Sequence, residues 1–479
     1  MTTPNKPNIV FIVLDQLRWD CLGISDSVHP VMTPHFDQLA YEGMQCTQTY
    51  ADCPLCMPQR ATMLTGYTGS SHKMPFNFME GPRTPVPDEY SLPHRLVREA
   101  DYQARAVGKM HFFPERARLG FEHIALHPDD YVAWLDDHGY GGLYRGHGLG
   151  GNDVYPAVSA VPERFTHSAW IVEQSVAALS QMDPENPFFL WMVFEAPHSP
   201  FDPPEPYDRF YDDFDIPEAV IGNWVNIEDE PLALIEARLL KKGHRITPQV
   251  LKKIRQHYYA QITYIDYLLG RFLGQLKRLN MYDDTVIVLT SDHGEHLGDH
   301  HLFAKYTFLE SSAHVPLIVK LPKSVDRLQT HITLPTLTAD IVPTLYDLAG
   351  LTPHDDLDGI SLLNLPQERT IFGETTQSAF AYDGEYKYIA YIDNGAEQLF
   401  CPEQDSDDRK NLISDTKYDH VKVKLREALL EHLRSHGSPL LDDQSEFRVN
   451  KRELDIDATL ARNGAAWRGP MRHGDGYTS

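Results

Sequence analysis

Long apolar runs that stop at a polar or acidic residue constrain this chain most. Asn8–Leu14 runs into Asp15-Gln16, Pro187–Glu195 into Ala196-Pro197-His198, and Thr285–Thr290 into Ser291-Asp292-His293-Gly294-Glu295. Val315–Leu321 is a fourth such run. Continuous apolar runs, as opposed to alternating ones, fit strands buried on both faces, as in a parallel sheet covered by helices. Helical stretches lie between them. Thr33-Pro34 reads as an N-cap with proline at the first helical position, in a helix that Gly43 ends. Ser91–Ala100, Pro248–Leu279 and Ile341–Leu348 are further helices, and Gln103–Val107 is a short strand. This alternation predicts an α/β fold with a large, mostly parallel central sheet. Ligands of such sheets collect at the carboxyl ends of the strands, which places Asp15, Glu195–His198 and Asp292 on one edge. A single Asp at a strand end is more often a helix N-cap; three such positions together point to a site.

The pattern changes near residue 366. Short strands at Thr370–Gly373, Tyr386–Ile392 and Gln398–Cys401, then a helix at Tyr418–Ser435, suggest a small α+β subdomain. The expected organisation is a catalytic domain over 1–365, this subdomain over 366–441 and a tail over 442–479. The tail carries Trp467, Arg468, Met471, Arg472 and His473, a mixture suited to docking. It is expected to pack on a neighbouring subunit of a homo-oligomer or on its own.

Charge and length exclude several classes. A net charge of −25 gives no basic face for nucleic acid. It leaves an anionic substrate open, because a few converging cations and a metal reverse the potential inside a cleft. No apolar stretch is long enough to span a membrane. Met1–Pro7 lacks a basic segment followed by an apolar one, so the cytoplasm is the expected compartment. Five cysteines in 479 residues make no disulfide framework.

One cysteine carries a motif: Cys56-Met57-Pro58-Gln59-Arg60, with Leu64-Thr65-Gly66 following. A Cys hydrolase would need a neighbouring His base, which the motif does not supply. Cys53 and Cys56 form a CxxC, but no second pair exists to complete a zinc site. The pattern resembles the signature of the type I sulfatases, in which this Cys is oxidised to formylglycine. Pro7-Asn8-Ile9-Val10 with Asp15-Gln16 resembles the family's opening. Gly108-Lys109-Met110-His111, Ala196-Pro197-His198, Ser291–Glu295 with Gly298-Asp299-His300, and Lys305 follow in the family's order. The resemblance spans about residues 7–320 and implies the α/β sandwich of the alkaline phosphatase superfamily.

It also implies roles. Asp15, Asp292, His293 and the residue at 56 would hold one divalent cation, with Gln16 assisting. Carboxylates suit Ca²⁺ or Mg²⁺, and the His293 imidazole makes Mn²⁺ or Zn²⁺ tenable. Gln16 stands where many relatives carry a second Asp. Arg60 would stabilise the hydrated aldehyde, the nucleophile. Lys109 would contact that hydrate and the sulfate. His111 would be the base that expels sulfate and restores the aldehyde. His198 and Lys305 would hold the sulfate and protonate the leaving alcohol, with Asn77 lining the pocket. A formylglycine-generating enzyme would be a maturation partner.

Phosphonate monoester and phosphodiester hydrolases share Asp15-Gln16, Asp292-His293 and the Gly298–Leu302 run. They carry Tyr or Thr where Lys109 and His111 keep the sulfatase pattern. A non-catalytic relative would be expected to have lost Cys56, Arg60 or a metal carboxylate; all are present. His293, His296, His300 and His301 offer an alternative zinc cluster, since His296 and His300 stand at i,i+4. The substrate is expected to be a small-molecule or carbohydrate sulfate ester. Trp134, Tyr140 and Tyr144, in a segment rich in Gly, Tyr, Asp and His, are candidates to stack on a sugar or aryl ring.

Overall fold

The computed structural model describes residues 6–74, 76–77, 90–226, 230–240, 245–325, 330–450 and 453–456. Its frame is a nine-stranded sheet built from β1 (Asn8–Leu14), β2 (Met44–Tyr50), β3 (Gln103–Lys109), β4 (His123–His127), β5 (Phe188–Phe194), β6 (Thr285–Ser291), β7 (His314–Lys320), β8 (His331–Ile332) and β9 (Thr336–Leu337). The strand order is β4-β3-β5-β1-β6-β7-β2-β8, with β9 also paired to β2. β4, β3, β5, β1 and β6 run parallel, whereas β7 is antiparallel to both β6 and β2. The Val315–Leu321 run is therefore a buried strand as expected, but reversed. Its composition is the same in either direction, so direction is set by the connection that feeds it.

β1 lies at the centre and explains the continuous apolar run. Val10, Ile12 and Leu14 point into one core layer, whereas Ile9, Phe11 and Val13 point into the other. The first layer is covered by the helices Pro248–Arg278 and His167–Leu179, the second by Leu92–Ala100 and Ile341–Ala349. Thr33 and Gly43 flank the Pro34–Glu42 helix as the sequence predicts. Among the described residues, no helix is long and apolar enough to cross a membrane.

A second, four-stranded antiparallel sheet follows: β10 (Ile371–Glu374), β11 (Ser378–Tyr382), β12 (Lys387–Tyr391) and β13 (Glu397–Phe400), with the Asp419–Ser435 helix packed on it. Buried Lys387 ties this sheet to the first through Glu310 and Asp408, at 3.0 Å from the latter. The tail residues Trp467–Asp475 lie outside the described residues. All five cysteines are buried, and none is in a disulfide.

Candidate active site

Register sets the site. Leu14 pairs with Phe194 on one side and Ser291 on the other, so Asp15, Glu195 and Asp292 leave the sheet side by side at one edge. Lys109 ends β3 at the same edge, opposite His127 of β4. Gly108 adopts φ 104° against β5, where a Cβ would run into the Val193 carbonyl, which accounts for glycine before Lys109. Cys56 begins the Cys56–Thr65 helix, and the side-chain oxygen of Asn77 accepts the Met57 N–H at 3.0 Å. That bond satisfies one of the free amides of the first turn, so Asn77 supports the helix that presents Cys56.

Asp15, Cys56, Asp292 and His293 each aim one ligand atom at a common point, with all four atoms within 4.8 Å of one another. The His293 ring nitrogen Nδ1 lies 3.0 Å from the Gly294 carbonyl. An N–H there leaves the Nε2 lone pair free, and Nε2 lies 3.2 Å from Cys56 Sγ and 3.6 Å from both Asp15 Oδ1 and Asp292 Oδ1. This is the arrangement of a metal-ligating imidazole oriented by a backbone carbonyl.

Arg60 underpins the cluster. Its Nη2 donates to Asp15 Oδ2 and Asp292 Oδ2, each at 2.9 Å, and its Nη1 to the Lys109 carbonyl at 2.7 Å. The guanidinium is fully buried. Lys109 Nζ donates to Asp15 Oδ2 at 2.6 Å. Burial and Cys56 push the Asp15 carboxyl up, but Lys109, His198 and Arg60 outweigh them and hold it below the usual carboxylate range. Burial and the neighbouring Asp15 raise Asp292. Burial would also raise the Cys56 thiol, yet Lys305, His293, Lys109 and a hydrogen bond from His111 bring it well below its ordinary value. The pocket favours negative charge at position 56.

On the far side, Lys305 Nζ donates to His198 Nε2 at 2.8 Å and to the Gln16 side-chain oxygen at 2.7 Å. His198 Nδ1 faces the Ser199 carbonyl at 2.8 Å. Burial and Lys305 lower His198 to about 4, so it is a neutral acceptor. Gln16 sits in the site, but its amide oxygen is engaged by Lys305 and its backbone N–H by Asp292 Oδ1 at 3.1 Å. Gln16, His111, Ala304 and Tyr306 all adopt positive φ, between 60° and 82°. Non-glycine residues at positive φ each cost roughly 1–3 kcal/mol and collect where a site over-determines its backbone.

Other readings of the sequence resolve differently. His296 is bonded to Ser311 Oγ and Thr307 Oγ1, and His300 to the Gly222 N–H and the Asp407 carbonyl, so they build no zinc cluster with His293. Trp134 and Tyr140 pack against Phe165, and Tyr144 against His127 and Tyr131. All three rings are half-buried at the edge of the core, and the Tyr144 hydroxyl donates to Glu195. His127, His167 and Glu195 also converge, but both Glu195 oxygens are already engaged, by Arg145 at 2.9 Å and the Tyr144 hydroxyl at 3.0 Å. Sequence reasoning gave Glu295 no role beyond its motif, although it is wholly buried behind Gln16.

Known proteins resemble this chain over most of its length. A family model described as Sulfatase matches residues 7–351, and one described as N-sulphoglucosamine sulphohydrolase, C-terminal, matches 298–435. The chain is 32% identical over 474 residues to an arylsulfatase of Clostridium perfringens (strain 13 / Type A), covering 89% of this chain and 94% of that one. It is 29% identical over 443 residues to a choline-sulfatase of Rhizobium meliloti (strain 1021), covering 87% and 84%. Among solved structures, the phosphonate monoester hydrolase of Agrobacterium radiobacter superposes with a TM-score of 0.77 at 26% identity, over 90% of this chain and 96% of that one. With a sulfatase family model matching residues 7–351 and an arylsulfatase 32% identical over most of both chains, this chain is a sulfatase, a member of the type I sulfatase family in the alkaline phosphatase superfamily.

Proposed function

We propose that the enzyme hydrolyses a sulfate monoester using the hydrated formylglycine form of residue 56 and one divalent cation, most naturally Ca²⁺. The observation that carries this reading is the convergence of Asp15, Cys56, Asp292 and His293 on one point, flanked by Lys109 and Lys305. Two carboxylates and an oriented imidazole fit such an ion, and two ammonium groups beside it fit a tetrahedral anion. The cation, when bound, polarises oxygen and stabilises charge that develops on the sulfuryl group.

The chain's own residues do the rest. Arg60 fixes both carboxylates and supplies a permanent positive charge beneath position 56. Lys109 orients the sulfuryl oxygens. Lys305 donates a proton to the departing alcohol oxygen as its bond to sulfur breaks, and neutral His198 aligns that ammonium. Lys305 then regains a proton from water. Burial lowers His111, which keeps it neutral and able to accept the proton whose removal releases sulfate.

Phosphonate monoester hydrolysis is the second reading, favoured by the superposition on the Agrobacterium radiobacter enzyme. Lys109 and His111 beside position 56 support the sulfate reading. A panel of aryl sulfate, aryl phosphonate and aryl phosphodiester substrates tests the choice, with the state of residue 56 measured by mass spectrometry on the same sample. Higher kcat/KM for the sulfate is expected; a higher value for the phosphonate overturns the assignment.

A further inference from the structure

Glu295 is wholly buried and is not one of the four residues of the cation cluster. Its Oε1 accepts the Leu297 N–H at 2.9 Å and the Ala304 N–H at 2.7 Å. Its Oε2 accepts the Gln16 side-chain N–H. The Gln16 oxygen then accepts Lys305 Nζ at 2.7 Å, and Lys305 donates to His198 Nε2 at 2.8 Å. Four side chains from three separate segments thus form one line, Glu295–Gln16–Lys305–His198.

The line has a direction. A carboxylate only accepts, so it forces the NH₂ end of the Gln16 amide toward Glu295 and the oxygen toward Lys305. Reversing that amide would aim two N–H donors at an ammonium. The backbone is held at the same time. Ala304 and Tyr306, either side of Lys305, have φ of 67° and 82°. Glu295 pins the Ala304 amide, and the Pro54 carbonyl pins the Tyr306 amide at 3.1 Å. Lys305 is therefore fixed at its side-chain tip and along its main chain by the same buried carboxylate.

We infer that Glu295 is the positioning residue for leaving-group protonation, acting through the Gln16 amide and the Ala304 N–H to set where Lys305 delivers its proton. This rests on the role given to Lys305 above. It assigns Gln16 to the orientation of Lys305, in addition to its backbone bond with Asp292 and to the assisting place at the cation that the family resemblance implies for it.

The test compares two aryl sulfates with the mature, metal-loaded enzyme. Phenyl sulfate releases a poor leaving group that needs a proton; 4-nitrophenyl sulfate releases a good one that needs it far less. Glu295→Gln is nearly isosteric, but its NH₂ must face either the Gln16 NH₂ or the Leu297 and Ala304 N–H groups, so a donor meets a donor on one side and the line to Lys305 is disturbed. Its kcat/KM should fall about tenfold further on phenyl sulfate than on 4-nitrophenyl sulfate, as general-acid loss does. Lys305→Ala should shift the same ratio in the same direction, and by more. An equal fall on both substrates in Glu295→Gln, with Lys305→Ala still discriminating, overturns the inference and leaves the function standing. An equal fall on both in Lys305→Ala removes the proton-donor role of Lys305 and this inference with it. Should Glu295→Gln not fold, Gln16→Leu is measured in the same way; any weakening of the cation lowers both rates and cancels in the ratio.

Discussion

His293 Nε2 stands 3.2 Å from the Cys56 sulfur, with the far side of its ring turned to the Gly294 carbonyl. The imidazole is thereby presented to the space shared with Asp15 and Asp292. Asp292→Ala should remove cation and turnover together. Elemental analysis should show about one equivalent in the parent and little in the variant, with kcat/KM down by at least ~10³. Retained stoichiometric metal in Asp292→Ala would place the ion elsewhere, and two tightly held ions in the parent would indicate phosphatase-like chemistry.

The cysteines should separate chemically. Cys56 has its thiol lowered, whereas burial raises Cys21, Cys46, Cys53 and Cys401. Protein made without a formylglycine-generating enzyme should therefore alkylate at Cys56 first, because the thiolate is the reactive form. Protein made with that enzyme should show an aldehyde there by peptide mass spectrometry. An all-thiol sample with undiminished activity would refute the aldehyde mechanism.

His111→Ala should uncouple the two products. Alcohol release should show a burst and sulfate release should lag behind it, since the base that frees sulfate is missing. Stopped-flow detection of both products checks this, and an unaltered steady-state rate would exclude His111 as that base.

Arg60→Lys keeps the charge but not the fork. A lysine cannot reach Asp15, Asp292 and the Lys109 carbonyl together. The expected loss is about 3 kcal/mol of stability, from a buried network left partly unpaired. Denaturant titration measures it, and activity should fall with it.

Acid should destabilise the fold through histidines. Burial lowers His72, His198, His300 and His432 to about 4, and His127 and His296 to about 3, from an ordinary value of 6.5. Each is neutral when folded and binds a proton when unfolded below pH 6.5. Their contribution is complete above pH 6.5 and is lost as pH falls toward 4 and 3. The Tm should drop across that window, with net proton uptake on unfolding.

Much of this was legible in the chain, for a physical reason. β1, β5 and β6 are buried on both faces, so their sequences are continuously apolar, and the residues that end them mark the site. β2 was missed because it lies between β7 and the short β8, and its sequence, Met-Gln-Cys-Thr-Gln-Thr-Tyr, alternates weakly. β4 escaped as a five-residue edge strand with an exposed His123 at its start. The Cys56 motif was visible, but not the ten-residue helix it opens, whose residues are all buried and so lack an amphipathic stripe. Glu295 was hidden because nothing in a sequence marks a carboxylate as buried.

Among the described strands, the central one precedes its partners in the chain by a long interval. β1 is complete at Leu14, yet its two neighbours begin at Phe188 and Thr285. In the finished fold Cys56 is only 2% exposed. At ~5–20 residues per second, on the order of ten seconds to a minute of translation separates Cys56 from the end of β6. An enzyme that converts this residue has that interval, before the sheet closes over it. Under the proposed function, supplying the modifying enzyme to folded protein should therefore leave residue 56 a thiol.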